Sequence, residues 1–152
     1  MLWFIIIAAV IALDQYTKYL ALTRLVNYDT IPLIENVFHL TFVKNRGAAF
    51  GILQNQKWFF IVVTGAIMIG IIYYIYREKP ESKLLMISLS MILGGAVGNL
   101  IDRIRYSYVV DFFDFTLINF PVFNVADSFV VVGTIFLSYY LLFKYDAKKD
   151  EA

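Results

Sequence analysis

Four long apolar segments restrict this chain to the fold of a membrane protein. They cover about residues 2–22, 58–76, 84–101 and 124–143, and a helix needs roughly 20 apolar residues to cross a bilayer. The fourth segment reaches that length only if it begins at Asn124. We therefore predict an α-helical integral membrane protein with four transmembrane helices, organised as a single membrane domain over all 152 residues.

The composition supports this class and excludes several functions. Hydrophobic residues make up 61% of the chain, its mean hydropathy is +0.71, and only 16% of its residues are charged, against about 25% in soluble domains. The net charge of +1 gives no basic field, so no nucleic-acid partner is expected. There is no cysteine and only one histidine, His39. A thiolate nucleophile is therefore excluded, and neither a metal site nor a cofactor is expected.

Basic residues in the connections predict how the helices are oriented. The loop REKPESK at 77–83 and the tail KYDAKKDEA at 144–152 fall on the same side as the N-terminus. Lys and Arg are equal in number on the two sides but denser in this loop and tail, and short basic segments tend to stay cytoplasmic. We therefore expect both termini in the cytoplasm and two outer segments, about 23–57 and 102–127. The first apolar segment lacks the positive flank and cleavage motif of a signal peptide.

The two outer segments differ in pattern. The first contains VFHLTFV, in which β-branched and aromatic residues are frequent, followed by a turn that contains glycine. These are strand and hairpin signals, so we predict a small β-rich platform on the extracytoplasmic side. For the second outer segment we expect a short interfacial helix or a loop.

Asp14 and Lys18 in the first apolar segment lie four residues apart and therefore on one helical face. A charge at the centre of a membrane helix costs roughly 2.5–3.5 kcal/mol on insertion scales. One interpretation is structural, with the two charges neutralising each other or Lys18 extending to the membrane surface. The other is functional, with this face directed at a polar cavity or a lipid headgroup.

Two further polar motifs have both structural and functional interpretations. GGAVGNLIDR combines small residues, which allow close helix packing, with Asn99, Asp102 and Arg103. Asn99 needs a hydrogen-bond partner at its depth and suits structure or substrate equally, whereas Asp102 and Arg103 suit an anchor at the helix end. In KNRGAAF, Asn45 and Gly47 are typical of a tight turn.

Three aspartates, Asp111, Asp114 and Asp127, lie in the aromatic stretch YVVDFFDFTLINFPVFNVADSF. Asn124 and Asp127 have the pattern of a helix cap, which explains Asp127 structurally, but Asp111 has no cation within four residues. Two carboxylates that meet in an apolar setting share a proton, so that one acts as base and the other as acid. The spacing does not show that Asp111 and Asp127 meet, although Pro121 allows a turn between them.

Five motifs together resemble the bacterial lipoprotein signal peptidase family, also called signal peptidase II. In chain order they are DQYTK, KNRGAAF, GGAVGNLIDR, VVDF and FNVAD. Each motif alone is weakly specific, whereas five in the family's order on a four-span chain are highly specific. The resemblance covers nearly the whole chain, and no motif position departs from the family's pattern.

The resemblance implies a membrane aspartyl endopeptidase that removes signal peptides from prolipoproteins, cleaving just before a cysteine that carries diacylglycerol. By motif position the catalytic pair is Asp111 and Asp127, while Asp114 is expected to be solvated or supporting. The other matched positions, which line or support the substrate cleft, are Asp14, Lys18, Asn45, Gly47, Asn99, Asp102, Arg103, Asn124 and Ala126. The implied partners are diacylglyceryl-modified prolipoproteins, membrane lipid and the inhibitor globomycin. The implied location is the bacterial cytoplasmic (inner) membrane, with the active site near its outer face.

Two other functions fit parts of the sequence pattern. A Ser–Lys membrane peptidase would use Lys18 as its base with a serine such as Ser128, and it would lose activity on Ser128→Ala. A small four-helix transporter or membrane assembly protein would use its acidic residues to pass protons or bind ions. That second alternative predicts no proteolysis.

Overall fold

Four long helices and a small sheet make up the computed structural model, which describes residues 2–28, 30–48 and 52–144. The helices are α1 (Leu2–Thr23), α2 (Lys57–Glu78), α3 (Lys83–Tyr106) and α4 (Val125–Phe143), and the strands are β1 (Ile31–Ile34), β2 (Phe38–Asn45) and β3 (Val109–Asp114). All four helices are long and apolar enough to cross a membrane, so the predicted four-helix membrane fold with a small β-rich part is confirmed. Ala49 and Phe50 of the KNRGAAF motif, and the tail after Lys144, lie outside the described residues.

Helix α3 lies at the centre of the bundle. It packs most extensively against α4 and α1 and also contacts α2, which itself has no buried residue. Glycines in α3 allow this close packing, because a Cβ at Gly95 would lie 2.5 Å from the carbonyl oxygen of Ala126 and one at Gly98 would lie 2.5 Å from Asp14 Oδ2. The packing predicted from GGAVGNLIDR is therefore present, and it brings α1 and α4 together around the polar residues of α3.

Local sequence signals set the helix ends. Helix α2 ends at Glu78, and the next residue, Lys79, has a left-handed φ of 44° and precedes Pro80, a residue that cannot continue a helix. Ser82 caps α3 through its side chain. At the start of α4 the side chain of Asn124 accepts a hydrogen bond from the backbone N–H of Asp127, and Asp127 accepts one from the backbone N–H of Asn124. The predicted cap of α4 is therefore confirmed as a reciprocal capping box.

The three strands form an antiparallel sheet in the order β1-β2-β3. The second outer segment contains the expected short helix, Thr116–Ile118, but it also contains a strand, β3, that was not predicted. Helix α3 continues past Asp102, and the chain then enters β3. The register places Val43 opposite Asp111 and Asn45 opposite Val109, and these partners are far apart in the sequence. Because the strand depends on this distant pairing, its local pattern does not reveal it.

The segment after β3 folds back onto the sheet and begins α4 beside it. A short 3₁₀ helix, Thr116–Ile118, reverses the chain. Phe123 then pairs with Phe113: the N–H of Phe123 donates to the Phe113 carbonyl at 3.0 Å, and the carbonyl oxygen of Phe123 accepts from the Phe113 N–H at 2.8 Å. Asn124 and the first turn of α4 therefore lie next to β3. An apolar cluster closes this end of the bundle; its buried members are Ala21, Leu25, Val110, Phe112 and Val125.

Candidate active site

Asp111 and Asp127 line the same cavity, which has a volume of about 630 Å³. Asp111 comes from β3 and is 1% exposed, whereas Asp127 lies in the first turn of α4. The fold-back that pairs Phe123 with Phe113 brings these two positions together. The remaining wall of the cavity is mostly apolar and includes Phe60, Phe120, Pro121, Val122, Phe123, Val130, Val131 and Val132.

Two asparagine side chains hold the Asp111 carboxylate. Asn45 Nδ2 donates to Asp111 Oδ2 at 2.9 Å, and Asn124 Nδ2 donates to Asp111 Oδ1 at 2.6 Å. Asn45 lies on the same face of the sheet as Asp111, because its register partner Val109 is two residues from Asp111. The backbone N–H of Gly47 donates to Asn45 Oδ1 at 2.9 Å, so the KNRGAAF turn fixes the amide that contacts the carboxylate.

The Asp127 carboxylate is held by Asn99 and by the helix cap. Asn99 Nδ2 donates to Asp127 Oδ1 at 2.7 Å, and the backbone N–H of Asn124 donates to Asp127 Oδ2 at 3.2 Å. Asn124 Nδ2 also donates to Asn99 Oδ1 at 3.1 Å. Asn124 therefore links the two carboxylates directly: its amide contacts Asp111, and its backbone and side chain contact Asp127.

The environment of Asp111 favours its protonated form. The pKa of Asp111 is raised to about 7, mainly by removal from water and further by repulsion from the Asp127 carboxylate. Hydrogen bonds from Asn45 and Asn124, and the charge of Lys18, oppose it. A carboxyl group with a pKa near 7 can hold a proton at neutral pH beside an ionised neighbour, which a paired acid and base require.

Among the described residues, Arg103 is the cation that lines the cavity. Its guanidinium group lies 4.6 Å from the ring centre of Phe60, and its Nη2 donates to the Gly47 carbonyl at 3.3 Å. Arg103 is also attracted electrostatically to Asp127 and Asp111. The positive charge that the local sequence did not provide for Asp111 therefore comes from distant residues, Arg103 of α3 and Lys18 of α1.

A buried ion cluster lies behind the cavity. Lys18 Nζ is 2.9 Å from Asp14 Oδ2 and 3.1 Å from Asp102 Oδ2, and it donates to Asn99 Oδ1 at 2.8 Å. Lys18, Asp14 and Asp102 are all between 0% and 2% exposed. The neutralising pair considered for Asp14 and Lys18 is present, and Asp102 joins it instead of lying exposed at a helix end. Gln15, which the sequence analysis missed, contacts both carboxylates; its place in the DQYTK motif was the available signal.

The remaining predicted residues divide between the cavity wall and its support. Besides the two aspartates, those on the wall are Asn45, Gly47, Asn99 and Arg103. Those behind it are Asp14, Lys18, Asp102, Asn124 and Ala126. Asp114 is absent from the wall, because it lies three positions after Asp111 along a strand and the two side chains therefore point to opposite faces. Asp114 Oδ2 instead accepts a hydrogen bond from Thr41 at 2.7 Å.

The geometry argues against a Ser–Lys site. The hydroxyl group of Ser128 donates to the carbonyl oxygen of Asn124 at 3.0 Å. An ammonium group has three donors, and those of Lys18 are directed at Asp14, Asp102 and Asn99. Within residues 2–28, 30–48 and 52–144, no group of three or more His, Asp or Glu side chains is arranged to hold a metal ion.

Comparison with known proteins identifies the family. Residues 6–143 match the sequence model of the family described as signal peptidase (SPase) II. The lipoprotein signal peptidase of Caldanaerobacter subterraneus is 56% identical over 92% of this chain and 95% of its own length. That of Bacillus subtilis is 43% identical over 99% of both chains. A solved bacterial membrane enzyme superposes with a TM-score of 0.85 at 33% identity, over 92% of this chain and 87% of its own. The chain therefore belongs to the signal peptidase II family of membrane peptidases.

Proposed function

We propose that this chain is an aspartyl endopeptidase that removes signal peptides from prolipoproteins, cleaving just before the diacylglyceryl-modified cysteine. The observation that carries the proposal is the convergence of Asp111 and Asp127 on one apolar cavity between the sheet and the helices. Relatives that are 43% to 56% identical are named lipoprotein signal peptidases, which supports the substrate class. The resemblance of the VVDF and FNVAD motifs supports the catalytic pair.

The pair carries out hydrolysis by general acid–base catalysis. One aspartate removes a proton from water as the water oxygen attacks the scissile carbonyl carbon, and the other donates its proton to the carbonyl oxygen. When the tetrahedral intermediate collapses, the C–N bond breaks and the leaving amine takes a proton from the former base. The former acid regains its proton from the intermediate's hydroxyl group. The raised pKa of Asp111 supports a pair that shares one proton at neutral pH.

The cavity also suits a lipidated membrane substrate. Its wall is formed largely by aromatic residues and valines, which would bind acyl chains and the apolar side chains of a signal peptide through burial of apolar surface. The two asparagines on the wall, Asn45 and Asn99, already donate to the carboxylates. The apolar lining therefore supplies binding, and the polar groups supply the chemistry.

The proposal includes an orientation in the bacterial cytoplasmic membrane. Both termini would lie in the cytoplasm, and the sheet and cavity would lie at the outer face. The basic loop at 77–83 joins α2 to α3 at one end of the bundle. The sheet strands follow the C-terminal ends of α1 and α3, at the opposite end. The cleavage site of a lipid-anchored substrate, at the outer membrane surface, would then lie at the same depth as the cavity.

The test is cleavage of a diacylglyceryl-modified precursor in membranes by the full chain. Asp111→Asn and Asp127→Asn should each lower the rate at least about 100-fold, the contribution of a single general acid or base. Asp114→Asn serves as the matched control because it removes a nearby carboxylate outside the cavity, and it should retain most of the activity. Globomycin should block processing by the wild-type chain. Substantial cleavage by either Asp111→Asn or Asp127→Asn would refute the assignment of the pair.

A further inference from the structure

Two carboxylates behind the cavity each hold the backbone directly next to a proposed catalytic aspartate. Asp102 Oδ2 accepts a hydrogen bond at 3.0 Å from the N–H of Val110, the residue before Asp111. Asp14 Oδ1 accepts one at 2.9 Å from the N–H of Ala126, the residue before Asp127. The two contacts come from different helices, α3 and α1, yet they occupy equivalent positions relative to the two aspartates.

Lys18 joins the two carboxylates to each other. Its ammonium group contacts the same Asp102 oxygen that holds Val110, at 3.1 Å, and it contacts Asp14 at 2.9 Å. Its third hydrogen bond goes to Asn99 Oδ1, and Asn99 donates to Asp127. The positions of the two aspartates are therefore connected through a single buried cation.

Gln15 ties the same groups together from a second side. Its Nε2 lies 3.2 Å from Asp14 Oδ2, 3.1 Å from Asp102 Oδ1 and 3.2 Å from the carbonyl oxygen of Gly98. The acceptors belong to α1 and α3, so Gln15 links these two helices beside the ion cluster. Gly98 leaves room for this arrangement, because a Cβ there would lie 2.5 Å from Asp14 Oδ2.

We propose that Asp14, Gln15, Lys18 and Asp102 form a positioning clamp that sets the separation of Asp111 and Asp127. None of the four lines the cavity, so they act on the aspartates through Val110, Ala126 and Asn99 and not through the substrate. The inference rests on the proposed function, in which the two aspartates work as a pair. It explains why three charged side chains are buried at 0% to 2% exposure in a part of the fold where charge is costly.

The first test compares Asp102→Ala with Asp102→Asn in the full chain, using the lipidated precursor. Asp102→Ala removes the acceptor of the Val110 N–H, and a displacement of about 1 Å in an active site lowers the rate about 100-fold. We expect kcat to fall by that order while KM stays near the wild-type value. Asp102→Asn keeps an oxygen for Val110 and Lys18, so it should recover much of the activity. Equal impairment of the two variants would overturn the clamp.

The pH profile separates positioning from simple loss of folded protein. Repulsion from Asp127 contributes to the raised pKa of Asp111. A wider separation of the two aspartates should therefore move the alkaline limb of the pH profile of kcat to lower pH. Gln15→Ala, which leaves all the charges in place, should show the same shift with a smaller loss of kcat. The matched control is Asp114→Ala, a carboxylate on the same strand that bonds to Thr41, and its profile should match the wild type. An unshifted limb in Asp102→Ala would also overturn the proposal.

Amide hydrogen exchange measured by NMR tests the clamp without relying on activity. Asp102→Ala should accelerate exchange at Val110 more than at Ala126, and Asp14→Ala should do the reverse. If the wild-type chain failed to cleave the precursor, the proposed function would be refuted. The exchange rates would still test whether Asp14 and Asp102 hold the backbone next to the two aspartates. Unchanged exchange at Val110 in Asp102→Ala would refute it.

Discussion

Raising the pH through neutrality is expected to ionise Asp111 and remove the proton that the proposed catalytic pair would share. Burial and the Asp127 carboxylate raise the pKa of Asp111 from 3.8 to about 7. The cations that face it are Lys18, which lowers that pKa, and Arg103, which is attracted to both aspartates. Hydrolysis should therefore decline above about pH 7, because neither carboxyl group would then be available as an acid.

The same ionisation should destabilise the fold by a calculable amount. The pKa of Asp111 rises from 3.8 to about 7 on folding, and each tenfold change in proton affinity corresponds to about 1.36 kcal/mol. The folded state binds this proton more tightly than the unfolded state, so its contribution to stability is fully present below the unfolded pKa. It is lost as the pH rises from about 4 to about 7, for a total of about 4 kcal/mol. Asp111 is 1% exposed, so solvent screening does not reduce this value greatly.

Asp111→Asn measures this contribution because asparagine does not titrate. The free energy of unfolding of the variant and of the wild type would be determined in mixed micelles from about pH 4 to about pH 9. The free energy of unfolding of the variant should rise by about 4 kcal/mol relative to that of the wild type across that range, although the variant should be inactive at every pH. Any difference due to altered hydrogen bonds with Asn45 and Asn124 shifts the whole curve and leaves its slope unchanged. Parallel curves for Asp111→Asn and the wild type would refute the reasoning.

Two further predictions follow from contacts at the site. Gly98→Ala would place a Cβ 2.5 Å from Asp14 Oδ2 and should lower the free energy of unfolding by about 1–3 kcal/mol. Gly70→Ala is the control, because a Cβ there meets nothing within 4 Å, and it should be neutral or slightly stabilising. Equal stability of the two variants would contradict the close packing at Gly98. Asn45→Ala removes a donor that lowers the pKa of Asp111, so the alkaline limb of the activity profile should move to higher pH as activity falls. Movement of that limb to lower pH would show that Asn45 does not stabilise the ionised carboxylate.

Much of the polar site could be predicted from the sequence as a set of residues but not as an arrangement. Asn124 and Asp127 are neighbours along the chain, and their capping box follows from local chemistry alone. Asp14 and Lys18 form the ion pair expected of residues one helical turn apart. The contacts of Asp102 with Lys18 and with the N–H of Val110 join α3 to α1 and to β3, and no spacing in the sequence encodes them.

The sequence by itself determined the number of membrane helices, because crossing a bilayer requires long apolar segments whatever their packing. It also supplied the residues that carry the family resemblance. The tertiary structure decided that VVDFFD is a strand, since that stretch depends on pairing with β2. It also decided that Asp111 and Asp127 line one cavity, because Phe123 returns to pair with Phe113. Burial beside Asp127 then raises the pKa of Asp111, a property that arises only when distant carboxylates and apolar walls exclude water together.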